Sequence, residues 1–207
     1  FVNMLAFLGW NPGTTQELFS IEELAEIFTL ERVGKAGAKF DADKTKWFQQ
    51  QYLRNTSNEK LGEMLAELLD NEYDAEYLAK VAGLMKERAT FVQDILTEGA
   101  YLINRPLEFD QQTISKKWKS DSAELMSEWN DRLKSLSDFS ASSIEIAFKS
   151  FLEAKGLGIG AVLPLFRLLI TGAGMGPSMF EIASFLGKQE CIDRMYEGLE
   201  KVKATIG

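Results

Sequence analysis

Polar capping residues and glycine or proline stops punctuate this chain at short intervals, and apolar residues between them recur at the three- and four-residue spacing of a helix face. Ser20 with Glu23 has the spacing of a capping box and opens a short helix through Phe28. Asp41 or Asp43 caps a helix through about Leu53, Ser57 or Asn58 begins one to about Leu69, and Asp74 caps one through Arg88. Thr90 restarts the helix towards Ile103, and Arg105-Pro106 breaks it. Further helices fit Gln111 to Lys119, Asp121 to Leu136, Ser140 or Ala141 to Ala154, Ala161 to Ile170, Ser178 to Leu186 and Lys188 to Thr205. At the start, Phe1 to Leu8 puts Phe1, Leu5 and Leu8 on one face and stops at Gly9, before a Trp10-Asn-Pro-Gly13 turn. Val33 to Phe40 reads as a glycine-interrupted loop. Strands are hard to find and no fixed repeat is visible, so the expected fold is all-α.

Composition narrows the chemistry more than the fold. The 207 residues contain no histidine and one cysteine, Cys191. Histidine acid–base chemistry, Cys–His nucleophiles, imidazole or multi-thiolate zinc sites and an internal disulfide are thereby excluded. No catalytic residue and no metal ligand is expected. No apolar run reaches the roughly 18 residues of a membrane span, and the apolar start lacks the basic flank of a signal peptide. A cytoplasmic protein without a membrane partner is the expectation. The chain begins at Phe1, inside what reads as a helix, which suggests a fragment of something longer.

The net charge of -8 disfavours broad phosphate binding, but it is unevenly spread. Glu59, Glu63, Glu67, Asp70, Glu72, Asp74 and Glu76 face a single base, Lys60, whereas Arg32, Lys35, Lys39, Lys44 and Lys46 face only Asp41 and Asp43. The acidic run lacks the Asp-x-Asp-x-Asp-Gly loop of a calcium site, so a solvated helix face is the better reading.

The junction Thr171-Gly-Ala-Gly-Met-Gly-Pro177 is the most conspicuous local motif. Its G-x-G-x-G spacing differs from the G-x-G-x-x-G of a dinucleotide site, its flanks are helical, and it ends Gly-Pro-Ser where a P-loop has Gly-Lys-Ser/Thr. A helix-to-helix connection fits better, with Gly172 ending one helix and Pro177 preparing the next. Such a corner exposes backbone N–H groups beside Arg167, which can receive a phosphate or a base edge. Lys44 and Trp47, three apart, share a helix face suited to gripping a nucleic-acid backbone, although a core tryptophan and a solvated lysine satisfy the same spacing. Arg88 reads as an exposed helix residue, Lys149 and Lys155 as solvated charges, and Cys191 as a small buried residue.

Four strings in order carry a family resemblance: Phe7-Leu-Gly-Trp-Asn-Pro12, Phe40-Asp-Ala-Asp-Lys-Thr-Lys-Trp47, Arg167-Leu-Leu-Ile-Thr-Gly-Ala-Gly174, and Gly176-Pro-Ser-Met-Phe-Glu-Ile-Ala183 with Leu186-Gly-Lys188. Together they make the chain, from about Met4 to Met195, similar to the C-terminal part of bacterial glutamyl-tRNA synthetases, class I aminoacyl-tRNA synthetases. The resemblance implies a tRNA stem-contacting segment over 1–57 and helical anticodon-binding domains over 58–108 and 109–207, a cage of helices. Neither ATP-handling signature of the family's catalytic half occurs here, so this stretch should not adenylate glutamate. ATP and Mg2+ are implied for the full-length enzyme and no cofactor for this stretch.

Carried over position by position, the resemblance places the reader of the third anticodon base on Arg88. Further anticodon contacts fall on Lys149, Arg167, Gly176, Pro177, Met179 and Phe180, and tRNA body contacts on Lys44 and Trp47. Gly176 and Met179 depart from the family's side chains at those positions. Arginine and flat or apolar groups suit the reading of unpaired bases. The implied partner is glutamate tRNA rather than DNA, bound by a monomer. The competing readings are a helical protein-interaction module and, with less behind it, a nucleotide-binding enzyme built on the glycine junction.

Overall fold

Most of the capping side chains act as their positions predict. Ser20 Oγ accepts from Glu23 N at 3.1 Å while Glu23 Oε2 accepts from Ser20 N at 2.7 Å, closing both halves of the box. Asp41, Ser57, Asp74, Ser140 and Ser178 likewise accept from backbone N–H groups in the first turns of their helices. The computed structural model describes residues 2–35, 37 and 39–206. Among these, regular structure is α-helical apart from one 3-10 turn at Leu30–Arg32 and one isolated antiparallel bridge between Trp10 and Val33. The chain divides into two compact units, Phe1–Ile95 and Leu96–Gly207.

The first unit contains α1 (Val2–Ala6), α2 (Ile21–Ile27), α3 (Ala42–Asn55), α4 (Asn58–Leu68) and α5 (Ala75–Met85). The expected apolar face of the first helix is corrected. Phe1 lies outside the described residues, Leu5 is exposed, and the residue buried on α1 is Asn3. Asn3 earns its place by hydrogen bonds: its side chain donates to Phe19 O at 2.6 Å and to the Tyr52 hydroxyl, and accepts from Phe19 N at 3.0 Å. Beside it, Phe7, Trp10, Phe19, Phe28 and Phe48 form an aromatic cluster with centroid separations of 5.4–6.2 Å. The Gly9–Pro12 corner is tied to the next loop by Gly34 N donating to Gly9 O at 2.7 Å and Arg32 donating to Pro12 O. Of the expected 33–40 loop, Ala36 and Ala38 lie outside the described residues.

Helices α4 and α5 form a tight hairpin that turns through Asp70 and Asn71, both at positive φ (52° and 59°). Gly62 sits where the helices meet. A Cβ there would lie 2.4 Å from Ala75 O and 2.7 Å from Ala79 N, so only glycine permits this approach. Leu61, Leu65, Leu78, Val81 and Ala82 are buried around it. The acidic stretch is a solvated face, as expected, with Glu63 and Glu76 paired to Lys60 and Lys80 at 3.0 Å.

Helix α6 (Val92–Glu98) contains the boundary between the units, and α7 (Ala100–Ile103), α8 (Gln111–Lys117), α9 (Ser122–Ser135), α10 (Ala141–Lys155), α11 (Ile159–Thr171), α12 (Met179–Leu186) and α13 (Lys188–Ile206) follow. The helix expected from Thr90 to Ile103 is split at Gly99, whose carbonyl accepts the Leu102 N–H at 2.8 Å. In the second unit Trp129 is enclosed by Phe148, Phe151 and Phe166 at centroid distances of 4.8–5.5 Å. Full burial of each such ring contributes about 1.5–3 kcal/mol.

Pro164 falls inside α11, where its missing N–H leaves the Gly160 carbonyl without its helical donor. Lys117 Nζ supplies one at 3.2 Å. The helix starts at Ile159, earlier than the Ala161 expected. Behind it, Arg194 lies 4% exposed and donates to Tyr101 O at 2.6 Å, Ile170 O at 3.1 Å and Glu190 Oε1 at 2.7 Å. Arg105 meets the same carboxylate with Nε at 2.9 Å and Nη2 at 2.6 Å. Both guanidinium groups hold the Glu190 carboxyl below its ordinary value, the Arg105 hydrogen bond most strongly.

Candidate nucleic-acid interface

In the second unit the expected residues Arg167, Gly176, Pro177, Met179 and Phe180 come together at the α11–α12 junction. Gly172 ends α11 in the left-handed region (φ 72°), its N–H bonded to Leu168 O at 2.8 Å. The connector then lies across the segment 106–113, and Gly172 O accepts from Asp110 N at 2.8 Å. Its alternate glycines now have a structural cause. A Cβ would fall 2.4 Å from Glu108 O at Gly172, 2.2 Å from Thr113 Oγ1 at Gly174 and 2.6 Å from Arg167 Nη1 at Gly176. The G-x-G-x-G spacing therefore reflects a loop laid flat on its own protein. The segment before it is helix α11, and among the described residues no βαβ unit supports the nucleotide-binding alternative.

Three side chains at this junction, expected to face outward, are turned inward. Arg167 is 9% exposed and its Nη2 donates to Pro177 O at 2.6 Å, bracing the connector from within. Met179 and Phe180 are 1% and 7% exposed, and Phe180 packs on Phe148 at 5.7 Å. Apolar residues in the first turn of an amphipathic helix follow the core, and these two do so. What the junction presents outward is Ser178 and the exposed Met175 side chain. Lys149 follows Phe148 on α10, stands exposed, and pairs with Glu145 at 2.7 Å.

Within the first unit, Lys44 and Trp47 share α3. Lys44 Nζ lies 2.9 Å from Glu17 and 4.9 Å above the Phe7 ring. Trp47 is half-buried with its edge against Phe48 at 5.1 Å. The pair thus falls between a packed core and a solvated surface.

Arg88 is not on a helix. Helix α5 stops at Met85, and the chain turns through Arg88, whose N–H bonds to Met85 O at 2.9 Å. Long-range partners hold the residues that follow the helix. Lys86 Nζ donates to Thr56 O at 3.2 Å, and Arg54 Nη2 donates to Glu87 O at 2.9 Å. Thr90, expected to cap the next helix, instead gives its N–H, as does Phe91, to Asp94 Oδ2 at 2.9 Å. The Arg88 side chain is exposed, and among the described residues no hydrogen bond or ion pair holds its guanidinium. A rigid turn offering an unengaged fork of five donors suits recognition of a base edge or phosphate.

Sequence reasoning missed Gln50, Arg54 and Lys86, which shape this turn. Their partners lie 30–40 residues away, beyond any local pattern. Among the described residues no group of three or more His, Cys, Asp or Glu is placed to hold a metal, and no helix is long and apolar enough to cross a membrane. Cys191 is buried, as expected, and burial pushes its thiol up to about 12. A thiol-specific reagent at pH 8 should leave it unmodified in the folded chain and react with one thiol after denaturation. Prompt labelling of the native protein would contradict that burial.

The chain is thus a helical framework with an exposed arginine on a turn of the first unit and, in the second, a glycine-rich corner between α11 and α12. Residues 50–199 match the family described as an anticodon binding domain, and the chain belongs to that family. It is similar over 205 residues to the glutamate–tRNA ligases of Christiangramia forsetii (42% identical) and Phocaeicola vulgatus (40%), covering 98% of this chain and 41% of each relative. The solved glutamate tRNA ligase of Elizabethkingia meningosepticum superimposes with a TM-score of 0.88 at 39% identity, covering 98% of this chain and 41% of that one. That of Elizabethkingia anophelis gives 0.84, also at 39% identity, over 97% and 40%. The chain thus spans about two fifths of the length of these relatives. The resemblance carried by the four ordered strings agrees with these matches.

Proposed function

We propose that this chain binds glutamate tRNA at its anticodon, as a cytoplasmic monomer, and that the protein it belongs to attaches glutamate to that tRNA using ATP and Mg2+. The observation that carries the reading is Arg88: within a chain of the anticodon-binding family, it stands exposed on a turn fixed from several sides. Arg88 reads the third anticodon base through its guanidinium. Lys149 approaches the anticodon backbone by exchanging Glu145 for a phosphate, Gly176 contributes its backbone, and Pro177 contributes its ring face. Arg167, Met179 and Phe180 act from beneath by fixing that corner. Lys44 and Trp47 meet the tRNA body, with Glu17 giving way to phosphate.

A fluorescence titration with glutamate tRNA and with a third-anticodon-base variant tests this. The cognate RNA should bind more tightly, and Arg88→Gln should remove about 1–3 kcal/mol of that preference, the worth of one charged hydrogen-bonding contact to a base. Binding should also weaken steeply with salt, since a few lysines carry the backbone contacts of an otherwise acidic protein. Equal affinity for both RNAs in the unsubstituted chain would refute the assignment of Arg88.

A further inference from the structure

The turn that carries Arg88 is gripped by one helix. From α3, Arg54 Nη2 donates to the Glu87 carbonyl at 2.9 Å while its Nε lies 3.2 Å from Glu87 Oε2, so one side chain holds both backbone and side chain of the residue before Arg88. A helical turn earlier, Gln50 Nε2 donates to Thr90 Oγ1 at 3.1 Å, two residues after Arg88. Just beyond the helix, Thr56 O accepts from Lys86 Nζ at 3.2 Å, two residues before it. Ala89 is buried, so the turn has a floor as well as sides. Arginine suits the central position because its planar fork reaches two acceptors at once, which a lysine cannot reproduce.

We infer that Arg54 is a positioning residue for anticodon discrimination: by clamping Glu87 it fixes the backbone from which Arg88 reaches a base. The inference rests on the reading of Arg88 given above. Arg54 acts through Glu87 and not by contact with RNA. It sets the direction of the neighbouring guanidinium, and a base contact is sensitive to displacements well under the length of a hydrogen bond.

The test is a double-substitution cycle on the 207-residue chain, reading the ratio of affinities for transcribed glutamate tRNA and its third-anticodon-base variant. Arg54→Met keeps the aliphatic stem and should lower that ratio by about five- to tenfold, on the order of one lost base contact, while tRNA body binding persists. Arg54→Lys should recover little of it. In an Arg88→Gln background, Arg54→Met should change the ratio no further, which a merely structural role would not predict. Should Arg54→Met also impair folding in thermal melts, Glu87→Ala removes only the carboxylate half of the clamp and should lower the ratio by about twofold or more. An unchanged ratio in folded Arg54→Met or Glu87→Ala, beside a lowered one in Arg88→Gln, would overturn the positioning role alone. A fall of the same size on top of Arg88→Gln would do likewise. A ratio insensitive to Arg88→Gln would overturn the underlying reading and this one with it.

Discussion

Gly62→Ala should destabilise the first unit by about 2 kcal/mol or more, although helix propensity alone favours alanine over glycine by about 1 kcal/mol. Two effects of opposite sign meet at this position. The propensity gain belongs to any helix interior, whereas the cost belongs to this hairpin, where the new methyl group would lie 2.4 Å from Ala75 O and 2.7 Å from Ala79 N. Those neighbours are backbone, so no side-chain rotation relieves the clash, and α4 must move away from α5. Separation loosens the packing of Leu61, Leu65, Leu78 and Val81, each essentially inaccessible to solvent. Overpacking of this kind costs about 1–3 kcal/mol and sometimes more. Thermal unfolding of the substituted chain should show the transition of the first unit lowered by roughly 8–16 °C, at about 4–8 °C per kcal/mol for a unit of this size. A raised midpoint would mean that the hairpin is looser than described.

The second large effect is expected from Glu190→Gln in the other unit. Arg194 is buried and among the described residues has Glu190 as its one carboxylate partner, keeping the carbonyls of Tyr101 and Ile170 besides. Removing one partner of a buried ion pair typically costs about 3–5 kcal/mol. Glu190 is partly exposed and the two carbonyls remain, so about 2–4 kcal/mol is expected, measured by urea unfolding at neutral pH.

The pH dependence has a definite sign. The carboxyl of Glu190 is held below its ordinary value of 4.5, chiefly by the hydrogen bond from Arg105. Its stabilising contribution is therefore fully present above the ordinary carboxylate range and lost as pH falls through the lower folded value. Acidification from pH 6 to pH 3 should destabilise the unsubstituted chain more than Glu190→Gln, and parallel curves would show that this carboxylate carries no linkage.

Local chemistry was legible in the sequence and distant chemistry was not. Ser20 with Glu23 and the caps at Asp74 and Ser178 could be read because a cap and its partner lie within three residues. Arg88 reads as a helix residue because Leu84-Met-Lys-Glu continues a helical pattern, while the partners that hold the turn after α5, Arg54 and Thr56, are far away in sequence. Asn3 reads as a surface residue until Phe19 and Tyr52 are seen to surround it. The glycines at 172, 174 and 176 signalled a special backbone, but their cause, the segment 106–113 beneath the first two and the Arg167 head beneath the third, is a tertiary fact. Met179 and Phe180 could have been placed inside from apolarity alone, since a large apolar side chain opening an amphipathic helix belongs by default to its core. Their expected contact role came from family position, which locates a residue without saying which of its atoms faces outward.

Helix α3 has a consequence best expressed as phase. Lys44 and Trp47 occupy its first half, while Gln50 and Arg54 in its second half grip the Arg88 turn. Successive residues of a helix advance by about 100° and 1.5 Å, so the two halves keep their relation only while the count between them is kept. One residue added between Trp47 and Gln50 would swing the gripping side chains about a quarter-turn off the Glu87–Thr90 turn, leaving every residue identity intact. The length of this helix is thus as much a part of the proposed recognition as any side chain upon it.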